Sequence, residues 1–282
     1  MKVKVGTRGS KLAIAQTQIV LEKIKTTFPS IEPKIEIIKT SGDTKRETTK
    51  AGTFVNEINN AVLLGSIDIG IHSLKDLPTE LPDGLSLPCI PERVSPNDAL
   101  VSRDGSGIFD LPEGSIVGVS APRRLAEIRH IRRDLILKDI RGNVDTRIRK
   151  MEEGQYDAIV TALAALERLD LQGVASQIFG IKEVVPAAGQ GALAVVCREG
   201  HDLVNKLTEI NDVRAYNETT CERSFLEKLN SDCKFAAGAV ARVCETKINL
   251  ISVIHDGGRV FLELSGKDPV TTGQKAASIL VR

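Results

Sequence analysis

Short apolar runs alternate with segments of helical periodicity along the first part of the chain. The series reads as strand 2–6, helix 10–28, strand 35–40, helix 54–64 and strand 67–73. Ser10 stands where the first helix needs an N-cap, and Gly65 stands where the second helix ends. Because strands that are separated by helices pair in parallel, this order predicts a largely parallel sheet covered by helices.

The same alternation begins again after a proline-rich stretch. Its elements are strand 115–119, helix 120–133, strand 135–141, helix 145–153 and strand 157–162. The two series share their order of elements without visible sequence repetition. The sequence therefore predicts two α/β lobes, one after the other.

The C-terminal part of the chain follows a different pattern. Its predicted elements are a long helix over 212–230, strands over 239–243, 247–254 and 259–264, and a closing helix over 272–281. Asp256, Gly257 and Gly258 have the composition of a hairpin turn between the last two strands. This pattern predicts a small α+β domain with an antiparallel sheet.

Length and composition limit the class of protein. The 282 residues suffice for two or three domains, and 41% apolar but only 3% aromatic residues predict mostly aliphatic cores. The 38 basic residues nearly balance the 37 acidic ones, and the resulting net charge of +1 argues against a general polyanion-binding protein.

The cysteines and the N-terminus indicate the cellular compartment. The five cysteines are an odd number, are widely spaced, and form no CxxC motif, which argues against a disulfide framework and against a structural metal site. Residues 1–6 lack the layout of a signal peptide, and no apolar run reaches membrane-spanning length. We therefore expect a cytoplasmic protein without a bound metal.

Arginines stand at three predicted junctions between a strand and the following helix. They are Arg8 in the first lobe, Arg123 and Arg124 in the second, and Arg141 and Arg147 at the next junction. A cation at a helix N-terminus opposes the helix dipole by about 0.3 to 1 kcal/mol, so a group of them indicates a bound anion. The alternative is that each arginine simply lies on a solvated surface. Three junctions together favour a small ligand with several carboxylates or phosphates.

Nucleic acid is the competing polyanion. Residues 121–150 contain ten Lys or Arg and four Asp or Glu, a net charge of +6. The same segment contains no Phe, Tyr or Trp on which bases could stack. A pair between Arg124 and Glu127 within the helix would also neutralise part of the charge, so we favour a small-molecule ligand.

A polar group follows the predicted strand 67–73. His72, Ser73, Lys75 and Asp76 stand at its end, just before Leu77 and Pro78. Asp76 is either a functional carboxylate or a turn residue that accepts hydrogen bonds from nearby N–H groups. His72 taken alone is more typical of a hydrogen-bonded core histidine than of a catalyst.

Five motifs, in order, resemble those of one known family. They are T-R-G-S-K-L-A at 7–13, I-H-S-L-K-D-L-P at 71–78, R-G-N-V-D-T-R at 141–147, Y-D-A-I-V-T-A at 156–162 and P-A-A-G-Q-G-A at 186–192. Through them the chain resembles the porphobilinogen deaminases, or hydroxymethylbilane synthases, over essentially its whole length.

The resemblance implies a monomeric transferase of tetrapyrrole (heme) biosynthesis. Such an enzyme condenses four porphobilinogens head to tail, loses ammonia at each step and releases hydroxymethylbilane. The chain grows on a dipyrromethane cofactor that a thioether attaches to one cysteine, which by order and spacing matches Cys233, whereas Cys221 is expected in the core. The implied fold has two periplasmic-binding-protein-like βαβ lobes, 1–92 with 187–209 and 95–185, and a small α+β domain, 212–282.

The resemblance also assigns roles to individual residues. Asp76 matches the catalytic aspartate, which holds pyrrole N–H groups and stabilises the positive charge that forms when ammonia leaves. The residues that match substrate-binding positions are Arg8, Ser10, Arg141 and Arg147. Those that match cofactor-binding positions are Cys233, Ser73, Lys75, Arg123, Arg124, Arg168 and the aromatic Phe54.

Three segments depart from the family pattern, and one of them is Ser-Ala-Pro-Arg-Arg at 120–124 in place of the common Ser-Ser-Leu-Arg-Arg. Ser231-Asp232-Cys233 replaces the usual Gly-Gly-Cys, and the loop over 44–53 is shorter than usual, with Lys45 or Lys50 as candidates for its substrate-contacting lysine. Two alternatives to the enzyme stay open, one suggested by the two tandem lobes and the other by the altered surroundings of Cys233. One is a non-enzymatic two-lobe protein that binds an anion, and the other is an inactive relative that lost cofactor attachment.

Overall fold

The computed structural model describes residues 1–40, 55–229 and 236–281. The strands are, in chain order, β1 (Lys2–Thr7), β2 (Glu32–Ile37), β3 (Ile69–Ser73), β4 (Leu85–Cys89), β5 (Asp98–Ser102), β6 (Ile116–Val119), β7 (Ile136–Asp139), β8 (Ala158–Ala162), β9 (Gln177–Ile178), β10 (Leu193–Arg198), β11 (Ala236–Cys244), β12 (Lys247–His255) and β13 (Arg259–Gly266). The α-helices are α1 (Lys11–Thr27), α2 (Asn56–Leu63), α3 (Pro122–Ile131), α4 (Val144–Glu152), α5 (Leu163–Glu167), α6 (Leu203–Glu209), α7 (Val213–Lys228) and α8 (Pro269–Leu280).

Contacts divide the chain into two units. The first consists of Met1–Val94 with Ala192–Tyr216, and the second of Ser95–Gly191 with Asn217–Arg282. The second unit holds both the second predicted lobe and the C-terminal sheet. The division into three domains remains a prediction.

The first unit is built on a five-stranded sheet in the order β2-β1-β3-β10-β4. β1 pairs in parallel with β2 and β3, whereas β10 is antiparallel to both β3 and β4. The prediction of a largely parallel sheet is therefore wrong for half of the pairings, since the late strand β10 enters beside β3. Helices α1 and α6 pack on one face of the sheet and α2 on the other.

The predicted strand 35–40 lies three residues too late. In the structure β2 runs from Glu32 to Ile37, because Lys2 pairs with Glu32 and Thr7 with Ile37. This strand includes Pro33, which lacks a backbone N–H but is tolerated because β2 is an edge strand. Pairing with β1 therefore overrides the local signal that proline breaks a strand.

The second unit contains a sheet with the same arrangement. Its order is β7-β6-β8-β5-β9, with β6 parallel to β7 and β8, and β5 antiparallel to β8 and β9. Helix α3 packs on one face, and α4 and α5 on the other. In each of the two sheets an antiparallel strand lies beside three parallel ones, which confirms two α/β lobes with the same spatial arrangement of strands.

The second unit also contains the C-terminal antiparallel sheet β11-β12-β13. Helices α7 and α8 pack on this sheet around Phe225 and Ala276. The three strands and their turn confirm the sequence interpretation. Helix α8 begins at Pro269, three residues earlier than predicted, because the Asp268 side chain accepts a hydrogen bond from Thr271 N.

None of the helices in the described ranges is both long and apolar enough to cross a bilayer.

Candidate functional site

In both α/β sheets the first residue of an antiparallel strand lies opposite the last residue of a parallel strand. Leu193, the first residue of β10, lies opposite Ser73 at the end of β3. Asp98, the first residue of β5, lies in the same way opposite Ala162 at the end of β8. An antiparallel strand therefore begins where the parallel strands end, at the edge where α/β sheets bind ligands.

In the first unit, β1 leads through Arg8 into the capped start of α1. Ser10 Oγ accepts a hydrogen bond of 3.2 Å from Ala13 N, as an N-cap does. The Ser10 hydroxyl can still donate a proton to another acceptor. The predicted N-cap role of Ser10 is confirmed, and Arg8 and Ser10 are both partly buried. Their role in binding an anion stays a prediction.

Ser73, at the end of β3, contacts a residue that the sequence analysis did not select. Gln16 Nε2 lies 2.9 Å from Ser73 Oγ, and Gln16 Oε1 lies 3.2 Å from it. Gln16 is only 6% exposed although it is polar. The signal was present in the sequence, because Gln16 stands on the same helical face as the apolar Val20.

A short 3-10 turn, Leu74–Asp76, carries Lys75 and Asp76 out of the sheet. Leu74 and Leu77 on either side are buried, and Leu74 N donates to Ala192 O at 3.0 Å. The turn is therefore fixed by its apolar residues, while Lys75 and Asp76 are exposed. This places the Asp76 carboxylate where a ligand can reach it.

His72 is buried, as expected, but its hydrogen bonding differs from the prediction. Its Nε2 has no hydrogen-bond partner among the described residues. Burial, with a smaller contribution from the charge of Arg8, lowers the pKa of His72 to about 3. The imidazole is therefore neutral near pH 7, with one of its two ring nitrogens protonated.

In the second unit, a buried carboxylate binds two arginines at the start of α3. Asp98 is fully buried, and its Oδ2 lies 2.7 Å from Arg123 Nη2. Its Oδ1 accepts hydrogen bonds from Arg124 Nε at 3.0 Å, from Arg124 Nη2 at 2.7 Å and from Gln190 Nε2 at 2.8 Å. Burial alone would raise the pKa of Asp98, but the two guanidinium groups outweigh it and hold that pKa well below its usual range.

This cluster contains two cations and one anion. Arg123 and Arg124 are each 6% exposed, and Arg123 Nη1 also donates to Val185 O at 2.8 Å. The proposed pair between Arg124 and Glu127 is wrong, because Arg124 turns toward Asp98 instead. Asp98 was missed, since a single acidic residue before an apolar run does not reveal its partner. The two guanidinium groups carry one more charge than Asp98, and Arg123 also interacts electrostatically with Glu127.

Two further arginines of this unit are partly buried without an ion pair among the described residues. Arg147 donates to Gly142 O at 2.8 Å and to Ser120 Oγ at 2.5 Å, and Arg168 donates to Gly191 O at 2.7 Å. The Nε of Arg168 is buried and has no partner in the described part of the chain. Burial lowers the pKa of each guanidinium to about 10, and the charge of Arg124 contributes at Arg147.

Arg141 lies apart from this buried group. It is exposed and pairs with Asp139 at 2.7 Å. The following Gly142 has φ of +113°, and a Cβ there would come within 3.0 Å of Thr146. Glycine is therefore required at this turn, which leads Arg141 and Arg147 to the same helix start.

Cys221 is the cysteine whose predicted role the described residues test. Cys221 is fully buried on α7, and burial raises the pKa of its thiol to about 12, which confirms a core role. Cys89 and Cys197 are buried as well. The predicted cofactor residue Cys233 and the predicted aromatic Phe54 lie outside the described residues.

The arginine cluster of the second unit fits a ligand with several carboxylates. Guanidinium groups bind carboxylates through paired N–H donors, and burial strengthens such bonds. A carboxylate of such a ligand supplies an acceptor for Arg168 Nε, which has no partner among the described residues. Acetate and propionate groups on a pyrrole have this chemistry.

Comparisons with known proteins agree with this chemistry. The family described as porphobilinogen deaminase, dipyromethane cofactor binding domain, matches residues 3–206. A porphobilinogen deaminase of Thermus thermophilus is 46% identical over 244 residues, which cover 86% of this chain and 81% of that protein. One of Brevibacillus brevis is 40% identical over 290 residues, which cover 99% and 94%. Among solved structures, the periplasmic VFT2 domain of Bordetella pertussis BvgS is 16% identical with a TM-score of 0.43, covering 74% of this chain and 86% of that one.

Proposed function

Since the chain belongs to the porphobilinogen deaminase family, we propose that Asp76 acts as its catalytic carboxylate and that the buried arginines of the second unit hold its cofactor. The chain is a transferase of tetrapyrrole biosynthesis. It joins four porphobilinogen molecules head to tail, releases ammonia and yields hydroxymethylbilane. Its cofactor is dipyrromethane. The observation that carries the residue assignment is the group of buried arginines around a single carboxylate, Asp98.

The residues that would hold dipyrromethane belong mainly to the second unit. Arg123, Arg124 and Arg168 supply guanidinium groups for its acetate and propionate side chains, and Cys233 supplies the sulfur of the thioether. Ser73, Lys75 and Phe54 complete the proposed cofactor-binding set. When bound, dipyrromethane supplies the pyrrole carbon to which the first substrate is joined.

Asp76 is proposed to stabilise positive charge on the substrate. Its carboxylate is exposed at the end of β3, on a turn that Leu74 and Leu77 anchor. An anion about 4 Å from the charge that develops as the amine leaves, at an effective dielectric constant near 20, contributes roughly 4 kcal/mol. That corresponds to about a thousandfold in rate.

The remaining residues are proposed to bind the carboxylates of the substrate. Arg8 and Ser10 lie at the start of α1, where the helix dipole also favours an anion. Arg141 and Arg147 lie at the start of α4. A bidentate pair of an arginine with a carboxylate contributes about 1.5 to 3 kcal/mol, so each of these arginines affects binding more than folding.

We further propose that the enzyme is a cytoplasmic monomer that acts on its small-molecule substrate without nucleic acid or a membrane surface. Nearly balanced charge, and an arginine-rich segment that lacks aromatic residues, support this proposal. The proposed domains are 1–92 with 187–209, 95–185 and 212–282.

The intact mass of the purified protein tests the cofactor assignment. We expect the wild-type chain, produced in cells that make porphobilinogen, to exceed its sequence mass by two pyrrole units. Cys233→Ala should lack this excess, whereas Cys244→Ala, at an exposed cysteine of the C-terminal sheet, should keep it. A wild-type mass equal to that of the bare chain would contradict the proposal.

A further inference from the structure

A second buried carboxylate in the second unit lies on the helix that carries Arg123 and Arg124. Glu127, on α3, is completely buried. His255 Nε2 lies 2.6 Å from its Oε1, and Arg259 donates to both oxygens at 3.3 Å. Burial alone would raise the pKa of Glu127, but these two partners outweigh it and lower that pKa. The carboxylate is therefore an ionised group inside the fold.

The three partners of Glu127 come from two parts of the unit. Val185 N donates to Glu127 Oε2 at 3.2 Å, while Val185 O accepts the hydrogen bond from Arg123 Nη1. His255 ends β12 and Arg259 begins β13, so both stand at one end of the C-terminal hairpin. Glu127 thus joins the arginine helix to the C-terminal sheet and shares Val185 with Arg123.

The hairpin is joined in turn to the strand that follows Cys233. His255 pairs with Ala236, the first residue of β11, and Ala236 stands three residues after Cys233 in the sequence. A Cβ at Gly238 in the same strand would lie 2.7 Å from Val185 O and 3.1 Å from Arg123 Cδ. Only glycine allows β11 to approach the backbone carbonyl group of Val185 this closely, and this approach brings the strand beside Arg123.

We propose that Glu127 is a positioning residue: through His255 and Arg259 it fixes the strand after Cys233 against α3, so that a cofactor on Cys233 reaches Arg123 and Arg124. This inference rests on the proposed function, because it assumes the thioether at Cys233. Glu127 itself does not touch substrate or cofactor.

The chain offers a matched control for this ion pair. Lys182 Nζ lies 2.6 Å from Glu263 Oε1, and this pair also joins the C-terminal sheet to the segment before Val185. Its side chains are 65% and 49% exposed, so water screens it. Removing the charge of Glu263 therefore shows how the loss of an exposed ion pair at this junction affects kcat/KM.

The first test compares Glu127→Gln with Glu263→Gln. Glutamine keeps the shape and one acceptor of Glu127 but removes its charge. We expect kcat/KM for hydroxymethylbilane formation, measured well below the unfolding temperature, to fall about ten- to hundredfold in Glu127→Gln, because displacements near 1 Å have effects of this size. Hydrogen exchange of the amides in 236–240 and 252–260 should accelerate in the same variant. Glu263→Gln should stay within about twofold of wild type in kcat/KM.

The second test separates positioning from simple stabilisation. If Glu127 acts by bringing the cofactor on Cys233 to Arg123, the loss caused by Arg123→Lys is smaller in the Glu127→Gln background than in wild type. The losses in kcat/KM caused by Arg123→Lys and by Glu263→Gln should add when the two substitutions are combined. Additive losses for both pairs of substitutions, or unchanged hydrogen exchange in Glu127→Gln, would overturn the proposal.

Two further outcomes are distinguishable. If Glu127→Gln does not fold, His255→Gln, which keeps a hydrogen-bond donor beside Glu127, takes its place in both measurements with the same expected direction. A wild-type protein without the two-pyrrole mass excess contradicts the proposed function, whereas a loaded, active wild type with an unimpaired Glu127→Gln contradicts only this inference.

Discussion

The first and second units have the same sheet order but differ at one equivalent position. Where the antiparallel strand begins, the first unit has Leu193 and the second has Asp98. The acidic group of the first unit comes instead after β3, as the exposed Asp76, while Asp98 is buried between Arg123 and Arg124. One topology therefore supplies a carboxylate that is accessible to a ligand in the first unit and a carboxylate that holds cations in the second.

The difference has an energetic cause. A buried carboxylate is stable only when cations and hydrogen-bond donors compensate for its lost hydration, and Asp98 has two guanidinium groups and the Gln190 amide. An exposed carboxylate such as Asp76 stays hydrated until a ligand displaces the water. We expect Asp98 to determine stability and Asp76 to determine turnover.

The largest expected effect is on stability in the second unit. Asp98→Asn leaves two buried guanidinium groups without an anion and should lower the free energy of unfolding by about 3 to 5 kcal/mol. Denaturant unfolding measures this change. Asp139→Asn, which breaks the exposed pair with Arg141, serves as the control and should change little. Equal effects of the two substitutions would refute the distinction between a buried and an exposed carboxylate.

Asp76→Asn tests the corresponding claim for the first unit. The rate of hydroxymethylbilane formation should fall about a thousandfold, because the anion that stabilises the developing charge is lost. The unfolding midpoint should stay at its wild-type value, since the side chain is exposed. A variant with normal turnover would remove Asp76 from the proposed mechanism.

Arg168→Gln should separate binding from folding within the second unit. Arg168 donates one hydrogen bond, to Gly191 O, and its buried Nε has no partner in the described ranges, so the substitution should lower the free energy of unfolding by only about 1 kcal/mol. The loss of a guanidinium–carboxylate pair should reduce kcat/KM about 10- to 100-fold. Arg149→Gln, at an exposed pair with Glu153, is the control for kcat/KM. A large loss of stability in Arg168→Gln without a change in kcat/KM would count against a ligand-binding role.

The smallest expected effect distinguishes the two units by their response to acid. The pKa of His72 is about 3 in the folded protein and about 6.5 when unfolded, so the unfolded chain binds more protons between these values and stability decreases as the pH is lowered. We expect a loss of about 1 kcal/mol between pH 7 and 5.5. For Asp98 the folded pKa is depressed, so its contribution is complete above about pH 4 and is lost only in stronger acid.

Substitution of His72 checks this assignment. His72→Gln should flatten the dependence of unfolding free energy on pH between 7 and 5.5, whatever it does to absolute stability. His130→Gln, at an exposed histidine, should leave the slope as it is in wild type. An unchanged slope in His72→Gln would mean that another group causes the acid sensitivity.

The sequence alone determined the features whose signals are local. Strand and helix alternation, the N-cap at Ser10, the turn that carries Asp76 and the C-terminal hairpin each depend on a few neighbouring residues, and each lies within a few residues of its predicted place. The five motifs added the family and, with it, the proposed roles. These properties follow from side-chain periodicity and capping, which act over one or two turns of chain.

Only the tertiary structure decided the partners that are far apart in sequence. Residues 193–198 read as an apolar run, but nothing local indicates that they pair with β3, more than one hundred residues earlier. For the same reason Asp98 could not be assigned to Arg123, nor Glu127 to His255, which is 128 residues away. A buried charge is recognised by what surrounds it, and those surroundings exist only after distant segments have packed together.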